Sequence, residues 1–371
     1  MKTGYQALGL PRVINAAGKM TALGVSTIHP ETGSALLEAA NAYVEIERLY
    51  AVAGKALAKI IGAPDACIVN SASAGLAMSV AALITKGDEV LTETLPLHLD
   101  TIQRREVILL KGHSINYGGA VTTALALGGA KIVEVGHSNK STIEHVAAAI
   151  NANTVALYYI KSHHCVQKNM VSLEAMIKLG KERNLPVVVD AAAESDLSRY
   201  LNLGANMVVY SGAKAICGPT SGFVVCSSEQ YADWLRLQFK GIGRSMKIGK
   251  EGIMGLLKAV EVYLDGKIQT LVSLEELETM IKHLNEHKGI HATLAKDESR
   301  PIYRVEFKIN PKEYGMSALE LVEVMKKQDP AIYFRDHYAN LGILEIDPRG
   351  LAGIQELSEI ENAILAHGGQ K

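Results

Sequence analysis

Lys214 stands in VVYSGAKAICGPTSGFVVC (Val208–Cys226), between two apolar runs and in a stretch crowded with Gly, Ser and Pro. A lysine does covalent work when burial or neighbouring cations strip its proton near neutral pH, which a solvated loop lysine never needs. Asp190 ends another apolar run, LPVVVD, 24 residues earlier. A carboxylate among apolar neighbours is costly unless something pairs with it, and a protonated ring nitrogen pairs well. Asp after a strand also caps a following helix, and both readings stand. A third stretch, NSASAGLAMSVAAL (Asn70–Leu83), reads as a strand end, a loop of small residues and a helix start near Gly75. Free N–H groups and the helix dipole make such a start an anion site, and Ser71, Ala72, Ser73, Ala74 and Gly75 are small enough to admit a phosphate. Ser211, with Gly212, adds a hydroxyl and a backbone N–H at the end of the strand before Lys214.

Phosphate loop, strand-end acid and strand-end lysine, in that chain order, are the parts that pyridoxal 5′-phosphate requires: a cradle for its phosphate, an acid against its pyridine nitrogen and a lysine on its aldehyde. Further polar candidates are His113 in LKGHSINYGG and His163 in IKSHHC. Adjacent histidines on a strand point to opposite faces, so HHC predicts no shared metal, and no metal site is expected. Arg335 in IYFRDHYANLGILEID, and Arg12, Lys19, Arg48, Arg244 and Lys247, are cations suited to an anionic substrate or to a solvated surface.

The elements that must position these groups alternate. Val- and Ile-rich runs predict strands at 66–70, 88–93, 106–110, 131–135, 154–160, 185–190, 206–211 and 222–226. Between many of them lie stretches of helical length such as GLAMSVAALITKG and SLEAMIKLGKERN. This alternation predicts a mostly parallel sheet covered on both faces, whose strand ends would gather Asp190 and Lys214 at one edge. From about Pro30 the first 60 residues read as helical. After about Tyr231 the pattern changes to helices and strands of a small α+β domain, with strands expected in IYRVEFKIN, AIYFRDHYAN and LGILEIDPRG. The expected organisation is an N-terminal segment 1–60 packing on both domains, a large α/β domain 61–265 and a small domain 266–371.

At 371 residues, 48% hydrophobic and a formal net charge of −1, the chain reads as globular, with no electrostatic case for nucleic acid. Its four cysteines form no CxxC pair and do not look like a disulfide framework, and three of them, in apolar or Gly-rich surroundings, read as buried free thiols. The first residues, MKTGYQALGLPRVINAAGK, carry no apolar signal-peptide core, and no run approaches the roughly 20 residues of a membrane span. A cytoplasmic protein is expected, without a membrane partner.

Several stretches together, VINAAG, IVNSASAGLAM, LKGHSINYGG, IVEVGHSNKSTIEHVAAAI, LYYIKSHH, VVVDAAAESDLS and VVYSGAKAICGPTSG, resemble fold-type I pyridoxal-phosphate enzymes of the selenocysteine synthase-like branch. The resemblance implies the aspartate aminotransferase-like fold for the large domain. It implies Lys214 on the cofactor's aldehyde, Asp190 on the pyridine nitrogen, and Ser71 to Gly75 with Ser211 on the phosphate. It also implies His113 stacked on the ring, His163 contacting cofactor or substrate, and Arg335 on the substrate carboxylate. Where selenium-transferring members carry an Arg-rich loop, this chain has IERLYAVAGKALAKI, so transfer onto tRNA is not implied. Likeness to the branch's shorter members implies a carbon–nitrogen lyase that eliminates across the α and β carbons of a 2-amino sugar acid 6-phosphate, with Arg12, Lys19 or Arg48 on the remote phosphate. The alternatives are another β-elimination, racemisation or transfer with the same cofactor, and a non-catalytic scaffold. Such enzymes build sites across subunits, so at least a homodimer is expected, with the basic Gly-rich segment KGIGRSMKIGKEG (Lys240–Gly252) as the part reaching the partner.

Overall fold

The computed structural model describes residues 4–162, 164–297 and 302–368. Its strands are β1 (Val13–Ala16), β2 (Asp65–Val69), β3 (Glu106–Leu110), β4 (Lys131–Val135), β5 (Thr154–Ile160), β6 (Val187–Asp190), β7 (Met207–Ser211), β8 (Gly222–Cys226), β9 (Ile290–Lys296), β10 (Tyr303–Ile309), β11 (Ala331–Phe334) and β12 (Ile343–Ile346).

Seven strands in the order β2-β8-β7-β6-β5-β3-β4 form one sheet. The run from β7 through β6, β5 and β3 to β4 is parallel. β8 runs antiparallel to both its neighbours, β7 and β2. The connections explain the exception. Parallel neighbours need a crossover, and helices such as Leu173–Arg183 supply it, whereas the β7–β8 loop contains no helix and turns the chain straight back.

Both faces of the sheet are buried. Alternate residues point to opposite sides: Ile108, Leu157, Val187, Val189, Val208 and Val225 enter one core, and Val107, Leu109, Tyr158, Val188, Val209 and Val224 the other. That is why these strands read as continuous apolar runs rather than alternating ones. The helix Ala72–Thr85 lies on the second face and is buried from Ala74 onward.

One expected strand is a helix. Residues 89–93 lie in Glu89–Thr94 and Asp88 is its N-cap: the Asp88 carboxylate accepts the Leu91 N–H at 2.9 Å, and an acid fills the first turn. Val90, which suggested a strand, is exposed.

The chain divides into two units: Ile28–Lys267, and Met1–Thr27 with Ile268–Lys371. Residues 1–60, expected as one segment, are therefore shared between them. Pro30–Ala40 and Ile46–Ile61 are helices of the sheet-bearing unit. β1 belongs to the other unit, where it pairs in parallel with β11. That unit also holds the antiparallel sheet β12-β10-β9, with β10 central. Its core takes Ile14 and Ala16 from the N-terminal segment alongside Leu277, Phe307, Leu321, Ile332 and Ile360. The expected strand 331–340 is shorter than read: β11 stops at Phe334, and Arg335 makes one isolated bridge to Glu345.

Candidate active site

The carboxyl ends of β2, β3, β5, β6 and β7 share one edge of the large sheet, and β8 begins there. Ser211 pairs with Gly222, Gly222 with Val69, and Asp190 with Ile160. The register thus brings the Ser71 loop, Ser211, Asp190 and the Lys214 loop to one crevice, as open parallel sheets do.

The phosphate loop is a tight helix start. Ser71 is the N-cap, and its Oγ accepts the Ala74 N–H at 3.1 Å. Gly75 N–H donates to Ser71 O at 3.0 Å, which leaves the N–H groups of Ala72 and Ser73 without an intrahelical acceptor. The loop sits hard on the sheet. A Cβ on Gly222 would lie 2.5 Å from Ser71 C and 2.6 Å from Ala72 N, and one on Gly75 would lie 2.9 Å from Val209 Cγ1. Glycine at 75 and 222 is what lets the helix start meet the strand ends.

Asp190 is 5% exposed. Its Oδ1 accepts the Ala192 N–H at 3.1 Å. Burial pushes its carboxyl up to about 6, against the pull of that hydrogen bond and of Lys214's charge. Lys214 is half-buried. Burial lowers its ammonium pKa, opposed by Asp190. Its loop is closed by Gly212 N–H to Ser221 O at 2.9 Å and Gly218 N–H to Gly212 O at 2.8 Å. Cys217 holds φ +54°, a left-handed conformation rare for a residue with a side chain, three residues beyond the lysine.

His113 is buried, and its Nδ1 accepts the Ile160 N–H at 3.3 Å. Its ring stands edge-on to Tyr159, 4.6 Å between centroids. Burial, with Lys161 nearby, pushes its pKa down to about 4, so the imidazole is neutral at pH 7. His163 lies outside the described residues.

Tyr117, which sequence reading did not single out, belongs to the site. Its ring centroid is 5.8 Å from Lys214 Nζ, and its hydroxyl is 3.4 Å from Ser73 Oγ. The only local signal was its place four residues after His113, before Gly118 and Gly119.

The expected substrate cations divide between the two units. In the sheet-bearing unit Arg48 lies exposed on Ile46–Ile61. In the other unit Arg335 Nε donates to Glu345 Oε2 at 2.7 Å, Arg12 pairs with Glu359, and Lys19 is half-buried. Lys240–Gly252 is held in place rather than free-running. Lys250 Nζ donates to Ala39 O and Ala40 O at 2.6 Å, and Tyr50 donates its hydroxyl proton to Ile248 O at 3.3 Å.

These residues fit pyridoxal phosphate. The helix start has N–H donors with no intrahelical acceptor, and two glycines let it sit directly on the strand ends. The buried carboxyl, taken out of water and short of a strong cationic partner, suits a protonated pyridine nitrogen, and a lysine of lowered pKa suits an aldehyde. The four cysteines are free and buried. Among the described residues no cluster of three or more His, Cys, Asp or Glu could hold a metal, and no helix is long and apolar enough to cross a membrane.

A family model described as L-seryl-tRNA selenium transferase matches residues 13–321. D-glucosaminate-6-phosphate ammonia lyase of Salmonella typhimurium (strain 14028s / SGSC 2262) is 42% identical over 349 residues, covering 94% of this chain and 93% of its own. A solved structure of D-glucosaminate-6-phosphate ammonia-lyase superposes with a TM-score of 0.92 at 40% identity, covering all of both chains. The 5′-C-glycyluridine monooxygenase-decarboxylase of a Streptomyces species is 40% identical over 373 residues, 98% of this chain and 93% of its own. An aspartate aminotransferase of Thermotoga maritima shares the fold at 14% identity and a TM-score of 0.55, over 95% of this chain and 91% of its own.

Proposed function

The chain belongs to the L-seryl-tRNA selenium transferase family, and we propose that it is an ammonia-lyase within it, converting D-glucosaminate 6-phosphate to 2-keto-3-deoxy-6-phosphogluconate and ammonia. It is a pyridoxal-phosphate enzyme of the aspartate aminotransferase-like fold. The observation that carries the reading is the meeting of Asp190, Lys214 and the Ser71–Gly75 helix start at one sheet edge. Likeness to the ammonia lyase over nearly the whole chain supports the choice of reaction.

When bound, pyridoxal phosphate supplies a sink for the electron pair left as the substrate's α-proton departs. Ser71 to Gly75 and Ser211 would hold its phosphate, and Asp190 would place negative charge against its protonated ring nitrogen. Lys214 Nζ, made less basic by burial, takes the proton from C2. The 3-hydroxyl leaves as water with a proton returned from Nζ. The enamine so released hydrolyses to the 2-keto acid and ammonia. A neutral His113 is the stacking candidate, and His163 a further contact.

Substrate roles for Arg335 on the carboxylate, and Arg12, Lys19 or Arg48 on the phosphate, rest on charge. The same reading makes the protein a cytoplasmic enzyme of amino sugar acid breakdown, working at least as a homodimer, with Lys240–Gly252 facing the partner. The test is holoenzyme assayed for ammonia and 2-keto acid with D-glucosaminate 6-phosphate beside the unphosphorylated acid. The phosphorylated substrate is expected to win by roughly a hundredfold in kcat/KM, the worth of one or two charge-assisted bonds. Equal rates would remove the phosphate site, and no keto acid from either would remove the substrate.

Likeness to the monooxygenase-decarboxylase gives a second reading, an oxidative decarboxylation. Oxygen uptake and carbon dioxide release from 5′-C-glycyluridine, without ammonia release from the sugar acid, would favour it.

A further inference from the structure

Tyr117 lies between the lysine and the phosphate loop, and neither the proton transfer nor the ring-nitrogen contact uses it. A tight reversal aims it. Gly118 N–H donates to Asn116 Oδ1 at 2.9 Å, Tyr117 N–H to Gly119 O at 3.2 Å, and Asn116 bridges Ala120. Gly118 takes φ +106°, which a side chain would resist. The ring packs against the apolar core that also takes Leu76, Val121 and Val209. Two directions are left. The ring meets Lys214 Nζ at 5.8 Å, and the hydroxyl lies 3.4 Å from Ser73 Oγ, at the helix start.

That last distance is long for an O–H···O bond, whose usual length is about 2.7–2.8 Å. Two hydroxyls this far apart satisfy each other poorly, yet both can donate to one acceptor between or above them. A phosphate oxygen over the Ala72 and Ser73 N–H groups is such an acceptor. Burial and Asp190's charge push the Tyr117 phenol pKa up, against the pull of Ser73, so it keeps its proton and remains a donor.

We propose that Tyr117 is a cofactor-binding residue whose hydroxyl donates, beside Ser73 Oγ, to the phosphate of pyridoxal phosphate. This rests on the cofactor reading above. It adds a hydroxyl from a loop 44 residues beyond Ser73 to a cradle otherwise built from the Ser71–Gly75 turn and Ser211.

The test is equilibrium dialysis of cofactor-free protein, wild type and Tyr117→Phe, against pyridoxal phosphate and against pyridoxal, which lacks the phosphate. The preference for the phosphorylated form is the readout, and because both ligands meet the same folded protein it is insensitive to general loosening. Tyr117→Phe is expected to reduce that preference by roughly tenfold or more, the worth of a hydrogen bond to a charged group, with pyridoxal affinity little changed. Ser73→Ala made on top of Tyr117→Phe is expected to cost less than it does alone, because the two hydroxyls serve one acceptor. If Tyr117→Phe weakens both ligands equally, or neither, the tyrosine is structural and the proposal is overturned. If the wild type fails to prefer pyridoxal phosphate, the cofactor reading itself falls, whatever Tyr117 does.

Discussion

Asp190 shows how one buried group can set both chemistry and stability. Its carboxyl is pushed up to about 6 because it has left water, and one backbone N–H and a nearby lysine do not make up the loss. In the unfolded chain the same group titrates near 3.9. The folded, cofactor-free protein therefore binds the extra proton between about pH 4 and 6, and Asp190's contribution is most favourable below pH 4 and is lost as pH rises through 6. Asp190→Asn removes the charge and keeps the shape. Relative to wild type, the cofactor-free variant is expected to gain nothing at pH 4 and up to about 3 kcal/mol by pH 7. Urea midpoints of the pair, read at half-unit pH steps, check it, and a flat difference would mean that the carboxyl stays ionised. The comparison must be made between the two proteins at each pH. His113, held down to about 4 by burial, titrates in the same window with the opposite sign, and its share cancels only in the difference. With pyridoxal phosphate bound the variant's advantage should reverse, since the amide cannot serve as anion to a protonated ring nitrogen.

At the scale of elements, the phosphate loop works because a helix start is pressed onto strand ends, and Gly222 is the point of contact. Gly222→Ala sets a methyl 2.5 Å from Ser71 C, which only backbone movement can relieve. It is expected to cost about 1–3 kcal/mol of stability and to weaken pyridoxal phosphate binding more than pyridoxal binding. Gly33→Ala, in the helix Pro30–Ala40, meets only Ile28 Cδ1 at 3.7 Å. It should leave binding alone and raise stability by up to about 1 kcal/mol. Thermal melts and dialysis of the two variants separate a steric effect on the loop from a general response to adding a methyl. The same elements show what could be read beforehand. β2, β3 and β5 to β8 were legible because burial on both faces makes the strand itself apolar, and Asp190 and Lys214 because a charged residue at the end of such a run is conspicuous. β1 was not, since it is four residues whose partner, β11, lies more than 300 positions away. β9 was not, since IHATLAK alternates through alanines too small to mark a buried face. Residues 88–93 suggest a strand because Val90 and Thr92 favour strands, until a capping Asp is weighed against them. Tyr117 left no local mark, for its meaning comes from Ser73 and Lys214, which only the fold brings to it.

At the scale of the whole molecule, the unit made of Met1–Thr27 and Ile268–Lys371 cannot be built from one end of the chain. β1 pairs with β11, and Asp347, after β12, donates its N–H to Ala16 O at 2.8 Å. The Asp347 side chain is fully buried and accepts from Arg349 at 2.8 and 2.7 Å and from Arg304 Nε at 3.0 Å. Burial alone would raise its pKa, but the two guanidiniums outweigh that and hold it near about 2. The carboxylate therefore contributes stability in full above the unfolded value near 3.9, and loses it as pH falls toward 2. Asp347→Asn would leave Arg304, itself buried, with Asp297 at 3.2 Å as its hydrogen-bonded acid among the described residues and Glu345 nearby. Removing one partner of a buried ion pair costs about 3–5 kcal/mol. Because the ladder joins chain segments from opposite ends, that loss should not stay local. Hydrogen exchange is expected to show the β1 and β11 amides of Asp347→Asn opening together and faster, with those of β5 and β6 in the other unit unchanged. If β1 opened alone while β11 kept its protection, the N-terminal strand would be an appendage, and the unit would owe its fold to the C-terminal third of the chain.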